Sequence, residues 1–203
     1  MSIEFGYVTR HHAFDALVEL ARAVYGSEPR STVVAEDLWR AFPRGYVAAW
    51  VDGRMVGAIH LWPLDARRAG DFLVGARSER ELTEEDLATV CNSAGTVWYF
   101  SGLLVDPAWQ GRGLGAHLFA EAMVRWYRDL PWRMPTHFTA LGTSAEGLRF
   151  IDGFGMERVR PASETADGYP LFARVMQTDA ELLAVVRSAR EAADRKGPLV
   201  AAG

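Results

Sequence analysis

The stretch Leu103-Leu104-Val105-Asp106-Pro107-Ala108-Trp109-Gln110-Gly111-Arg112-Gly113-Leu114-Gly115-Ala116 decides how the 203-residue chain is read. It runs from an aliphatic strand end through a glycine-rich turn into a helix expected from about Gly113 to Leu130. Leu114, Leu118, Ala122 and Trp126 recur at every fourth position of that helix, and Pro131 closes it. Three alternating glycines leave the backbone bare at a helix N-terminus, where unpaired N–H groups meet the positive end of the helix dipole. Such a place suits a phosphate or a diphosphate. Arg112, flanked by two of the glycines, adds a charge-assisted donor.

Three phosphate-binding patterns compete for this stretch. A P-loop needs a Gly-Lys pair followed by Ser or Thr, and the only lysine of the chain is Lys196, so that pattern is excluded. A dinucleotide fingerprint fits Gly111, Gly113 and Ala116, with Asp129 near the offset of a ribose-binding carboxylate. Against it, the residues Asp106 to Gln110 separate the strand from the first glycine, and an antiparallel hairpin precedes the unit. The third pattern is Q-x-x-G-x-G, carried by Gln110, Gly113 and Gly115 after a strand ending Leu103-x-Val105-x-Pro107.

Outward from the turn, the chain reads as alternating elements. An extended start, Ile3 to Val8, precedes a helix with Phe14, Leu17, Val18, Ala21, Val24 and Tyr25 on one face, stopped by Gly26. A shorter helix carries Val34, Leu38 and Phe42 before Pro43. The period then changes to two: Tyr46 to Val51 and Arg54 to Trp62 flank Asp52-Gly53, a type I′ turn dipeptide, which predicts a hairpin. Residues 63–95 read as a charge-mixed insertion with one helical stretch, where Thr83 and Asp86 are spaced as N-cap and N3. Thr96 to Val105 is the most strand-like run, and Gly102 within it is expected to mark a bulge. Thr136 to Leu141 is a strand, Ala145 to Asp152 a helix, and Met156 to Arg160 with Tyr169 to Met176 a final strand pair. Thr178 and Glu181 form a capping-box pattern before a terminal helix striped by Leu182, Val185, Val186 and Ala189 and ended by Gly197-Pro198.

Composition bounds the function. The chain is 49% hydrophobic and 24% charged, ordinary for a globular domain, with a net charge of -4 and no basic run. That balance argues against nucleic acid as a partner. The single cysteine, Cys91, excludes an internal disulfide framework, and no histidine has a partner at metal-ligand spacing, so no metal is implied. No apolar run approaches a membrane span, and the expectation is a soluble, cytoplasmic protein.

With its strand, helix and place in the element order, the Gln110–Gly115 motif resembles that of the GNAT superfamily of acyl-CoA N-acyltransferases. The resemblance covers residues 1–176, with 63–95 an insertion before the fourth strand, and leaves 177–203 as a C-terminal helix and short tail. It implies an α/β (α+β) fold: a mixed, strongly twisted, splayed sheet of about seven strands flanked by helices on both faces. It implies acetyl-CoA or another acyl-CoA as co-substrate and a small-molecule or peptide amine as acceptor, attacked directly in a ternary complex. The site implied comprises Leu103, Leu104 and Val105 beside the pantetheine arm, and Gln110, Gly111, Arg112, Gly113, Leu114, Gly115 and Ala116 at the diphosphate. Ser144 stands at the polar position of the family's last motif. Ile151 occupies the position of a tyrosine that protonates the leaving thiolate in many members, and Ser101 that of a carboxylate base. The catalytic residues are left open, with Ser101 and Tyr99 as candidates for ordering a water chain. A non-catalytic acyl-CoA-binding module is the competing reading, and acylation of a protein terminus or of a charged tRNA a third.

Other residues invite roles that bland readings match. Cys91 as an acyl carrier, His60 near the hairpin end, Trp39, Trp62 and Trp109 as walls of an acceptor pocket, and Glu28, Glu36, Asp37, Glu164 and Asp167 as attractors of a cationic amine stand against readings as core or solvated loop. The apolar stripe of the terminal helix suggests a homodimer.

Overall fold

The computed structural model describes residues 2–26, 35–89, 95–130, 132 and 134–197. Glu28, Val34, Cys91, Pro131 and Pro198 lie outside them. The chain forms β1 (Ile3–Tyr7), α1 (His11–Tyr25), α2 (Glu36–Ala41), β2 (Tyr46–Val51), β3 (Arg54–Asp65), α3 (Gly70–Leu73), β4 (Thr96–Val105), α4 (Leu114–Asp129), β5 (Thr136–Leu141), α5 (Ala145–Phe154), β6 (Glu157–Arg160), β7 (Leu171–Met176) and α6 (Asp179–Asp194). The seven strands make one mixed, open sheet in the order β1-β2-β3-β4-β5-β7-β6, flanked by helices. Its central pair, β4 and β5, is parallel, and the register runs from Val97↔His137 to Phe100↔Ala140. The pairs β1/β2, β2/β3, β5/β7 and β6/β7 are antiparallel.

The hairpin turns at Asp52 (φ 48°) and Gly53 (φ 78°), the positive angles that a type I′ turn needs. β4 spans the expected residues without interruption. Gly102 lies within this strand, and a register shift falls at Ala49/Trp50 of the β2/β3 pair.

The insertion differs from its reading. In place of one helical stretch stand the single-turn α3 and two 3₁₀ turns, Glu79–Glu81 and Glu84–Asp86. The cap at Thr83 forms, with the Asp86 carboxylate accepting from the Thr83 N–H at 2.9 Å. The turn cannot extend, because Leu87 is drawn into an antiparallel bridge with Leu64 and Ala88 N–H donates to Pro63 at 2.7 Å.

Two compact units divide the chain: Met1–His60, Gly102–Asp129 and Val186–Gly203 in the first, Leu61–Ser101 and Leu130–Val185 in the second. In the first unit α4 lies on β3 where Gly57 leaves room. A Cβ there would meet the Leu118 side chain and the Leu104 carbonyl, each at 3.2 Å. The far end of α4 is tied down by polar contacts. Trp126 Nε1 donates to the Arg44 carbonyl, Arg125 to the Phe5 carbonyl, and the Tyr7 hydroxyl to Asp129. Trp39 stacks on Phe14 and donates to the Val8 carbonyl.

In the second unit Phe100 packs between Phe138 (5.6 Å, stacked) and the α5 rings of Phe150 and Phe154, a core built from β4, β5 and α5. Opposite Phe100 along the strand, Tyr99 is buried against Phe72 and Trp62. The insertion is anchored within this unit by Asp167, whose carboxylate accepts from the Ser78 hydroxyl and the Glu79 N–H.

Helix α6 opens with a cap close to the expected one. Glu181 N–H donates to Thr178 Oγ1, while the Glu181 carboxylate reaches back to Gln177 N–H rather than Thr178. Of the apolar stripe, Leu182 and Val186 are buried, and Val185 and Ala189 are half-buried.

His60, paired with Tyr46 across the hairpin, is fully buried, and neither ring nitrogen has a hydrogen-bond partner among the described residues. Burial lowers its pKa to about 3, so the folded ring is neutral. Between its unfolded value near 6.5 and about 3, the unfolded chain takes up a proton that the folded chain refuses. Stability from this group is therefore complete above pH 6.5 and falls by about 1.4 kcal/mol per pH unit below it. Urea unfolding of wild type and His60→Phe between pH 7 and 4 is expected to show a shallower acid loss in the variant; equal slopes refute the assignment.

Candidate cofactor and active site

The site in the first unit is built on a buried carboxylate. Asp106, 4% exposed, ends β4, and its backbone N–H donates to the Val56 carbonyl at 2.9 Å. One carboxylate oxygen accepts from Ala108 N–H at 2.9 Å, starting the 3₁₀ turn Pro107–Trp109, and the other accepts from the Arg54 guanidinium. Trp109 is buried beneath this turn. The bracket fixes where the chain leaves the strand and therefore where the glycines begin.

Gln110 folds back, its side-chain amide donating to the Val105 carbonyl at 3.0 Å and its backbone N–H to Pro107 at 3.4 Å. These two bonds hold Gln110 against the turn and leave its second amide N–H and its side-chain carbonyl without a bond to the strand end. Gly111 (φ +74°) and Gly113 (φ +87°) both have left-handed backbones, and a Cβ at Gly111 would have nothing within 4 Å, so its outer side is open. The first α4 bond runs from His117 N–H to the Gly113 carbonyl at 3.1 Å. By helix geometry the N–H groups of Leu114, Gly115 and Ala116 therefore have no partner within the helix. Gly115 lies over Leu103 and Val105, whose methyl groups would sit 3.6 Å from a Cβ there. Leu104 points the other way and is fully buried, which leaves it only backbone groups to offer. Arg112 is half-buried beside the turn.

Gly113 has a neighbour far away in the chain. A Cβ at this glycine would meet Lys196 Cβ at 3.1 Å and the Ala193 carbonyl at 3.2 Å. Helix α6 thus ends against the glycine turn, with Arg190 paired to Glu121 at 3.1 Å and His117 4.0 Å from Asp194.

The remaining candidates belong to the second unit. The Ser101 hydroxyl is buried with no hydrogen-bond partner among the described residues. Tyr99, 1% exposed, sits in the aromatic cluster with Trp62 and Phe72. Ser144 is the N-cap of α5, its hydroxyl oxygen accepting from Gly147 N–H at 3.0 Å. Ile151 is 2% exposed and faces the core. Trp39, Trp62 and Trp109 are all buried, which makes them core residues rather than pocket walls. Asp167 is engaged by Ser78 and Glu79, and Glu36 pairs with Arg40, while Asp37 and Glu164 are exposed.

Asp129 does not serve the glycine turn. It lies at the opposite end of α4, about 22 Å along a helix rising 1.5 Å per residue. There Arg128, followed by the Tyr7 hydroxyl, holds its pKa down to about 2. The dinucleotide pattern therefore lacks its ribose carboxylate. Among the described residues no cluster of three or more His, Cys, Asp or Glu is placed to hold a metal, and no helix is long and apolar enough to cross a membrane.

The sequence profile of the acetyltransferase (GNAT) family matches residues 14–145. That is more than half of the chain, and the chain belongs to this family. Its fold is similar to the loading GNATL domain of CurA from Lyngbya majuscula, at TM-score 0.64 and 15% identity over 86% of this chain and 98% of that one. It is also similar to the Drosophila melanogaster polyamine N-acetyltransferase that forms N-acetylagmatine (TM-score 0.56, 15% identity, 86% and 100% covered). A third likeness is to the PaiA N-acetyltransferase of Thermoplasma acidophilum, solved with coenzyme A (TM-score 0.54, 14% identity, 87% and 100% covered). No curated protein matches the chain by sequence.

The geometry of the turn ranks its substitutions. Gly115→Ala is expected to be near neutral in stability, since its Cβ finds ordinary contact distances. Gly111→Ala should cost about 1 kcal/mol from its positive φ, and Gly113→Ala about 2 to 3, because strain and the collision with Ala193 add. Asp106→Ala should cost about 1 to 3 kcal/mol by stranding the Ala108 N–H. Urea denaturation of the four variants checks the order.

Proposed function

We propose that the protein is an acyl-CoA-dependent N-acyltransferase, with acetyl as the acyl group, that transfers to a primary amine within a ternary complex. The observation that carries this is the glycine turn, left-handed at Gly111 and Gly113 and open at Gly111, leading into the bare N-terminus of α4. The donor set fits a diphosphate: backbone N–H groups of Gly111 to Ala116 converge with the helix dipole, and Arg112 supplies charge. Leu103 and Val105 offer strand backbone groups to the pantetheine arm. Ser144, though committed as a cap, keeps its hydroxyl hydrogen for a polar contact. The relatives solved with coenzyme A and acting on a polyamine support the co-substrate and the amine class.

When bound, acetyl-CoA supplies an activated thioester. The backbone N–H at Gly102 is suited to stabilise the carbonyl oxygen as charge develops on it. Neither usual proton-transfer group is present in the chain: Ser101 stands at the carboxylate position and buried Ile151 at the tyrosine position. The Ser101 hydroxyl can order water, and that water carries the amine proton to solvent. A thiol with an ordinary pKa near 8.5 leaves without an enzymic acid. In consequence kcat/KM is expected to rise with pH toward the pKa of the acceptor amine.

The same two positions favour a second reading, a coenzyme-binding module without turnover. Thermal shift with acetyl-CoA and thiol release over a panel of amines separate the two. A shift with turnover is expected; a shift without turnover on any amine supports the module. No shift for wild type, with Gly113→Val behaving identically, overturns the cofactor assignment.

A further inference from the structure

The end of α6 lies against the glycine turn at Gly113. We propose that Lys196 supplies a cation to the diphosphate held at the glycine turn, a proposal that rests on the acyl-CoA reading above. Helix α6 lies beyond the residues matched by the family profile, which ends at residue 145. The contact is close. Gly113 approaches the Lys196 Cβ and Cγ so nearly that any side chain at Gly113 would displace the lysine stem.

Charge makes the placement consequential. The Ala193 carbonyl that abuts Gly113 belongs to the last turn of α6, the negative end of that helix. By itself it opposes an anion at the turn. The helix stops immediately afterward, with Lys196 N–H donating to Ala193 and Gly197 adopting φ +83°. The stop leaves the only lysine of the chain exposed, with its stem against Gly113. A flexible four-carbon stem brings a compact ammonium within range of a phosphate, while Arg190 and His117 occupy the neighbouring carboxylates Glu121 and Asp194. Lys196 thus places a positive charge beside the negative end that α6 brings to the turn.

Lysine at a helix C-terminus also stabilises the helix. The test therefore reads phosphate binding apart from folding. Full-length wild type, Lys196→Gln and Lys196→Arg are titrated calorimetrically with coenzyme A and with 3′-dephospho-coenzyme A at low and high salt. Lys196→Gln is expected to weaken both ligands about tenfold at low salt and to flatten the salt dependence, with Lys196→Arg restoring both. Equal affinity of Lys196→Gln and wild type overturns the proposal while leaving the acyl-CoA reading intact. So does a loss that Lys196→Arg does not restore. A loss confined to coenzyme A moves the contact to the ribose phosphate and overturns the diphosphate placement. Failure of wild type to bind coenzyme A removes the cofactor reading and this proposal with it.

Discussion

The Asp106 carboxylate accepts from Arg54 at one oxygen and from Ala108 N–H at the other while its own N–H holds Val56. A charge this deeply buried is tolerable only when its lone pairs are filled. Filling them fixes three things at once: the hairpin start of β3, the end of β4, and the turn that follows. Each atom of the glycine cradle is referenced to that point. Gln110 continues the bracket by tying its amide back to Val105, so the first flexible residue after the strand is Gly111. The helix then starts with N–H groups that have no partner within it.

In the proposed reading, cofactor binding and proton transfer draw on different parts of the chain. The cradle is complete in the first unit, with a left-handed backbone at two glycines and a helix dipole behind it. In the second unit the positions where an acid and a base stand in many relatives hold an isoleucine packed in the core and a serine whose hydroxyl is buried. A neutral amine needs little more than positioning to attack a thioester, so the loss of these groups bears on the pH dependence more than on feasibility.

The insertion illustrates how charged loops become structure. Its sequence reads as charge-mixed. Yet Asp86 is buried against Arg77 and Thr83, and Asp167, a residue suggested as an attractor of cationic substrate, instead fastens Ser78 and Glu79. A carboxylate that accepts two hydrogen bonds from its own chain has few lone pairs left for a ligand.

The strand, turn and helix around Gly111 were legible in the sequence because each is set by local physics: period-two and period-3.6 patterns, positive φ at glycine, and dipole alignment. So were the Asp52-Gly53 hairpin, the full span of β4 and the cap of α6, and with the motif they were enough to reach the family. What tertiary structure alone decided involves partners far apart in the chain. Arg54 meets Asp106, Asp167 meets Ser78, and Gly113 meets Lys196. The same holds for tryptophans that sequence left open between pocket and core. Burial and long-range pairing depend on which surfaces the folded elements present to one another, and that information is absent from any window of neighbouring residues.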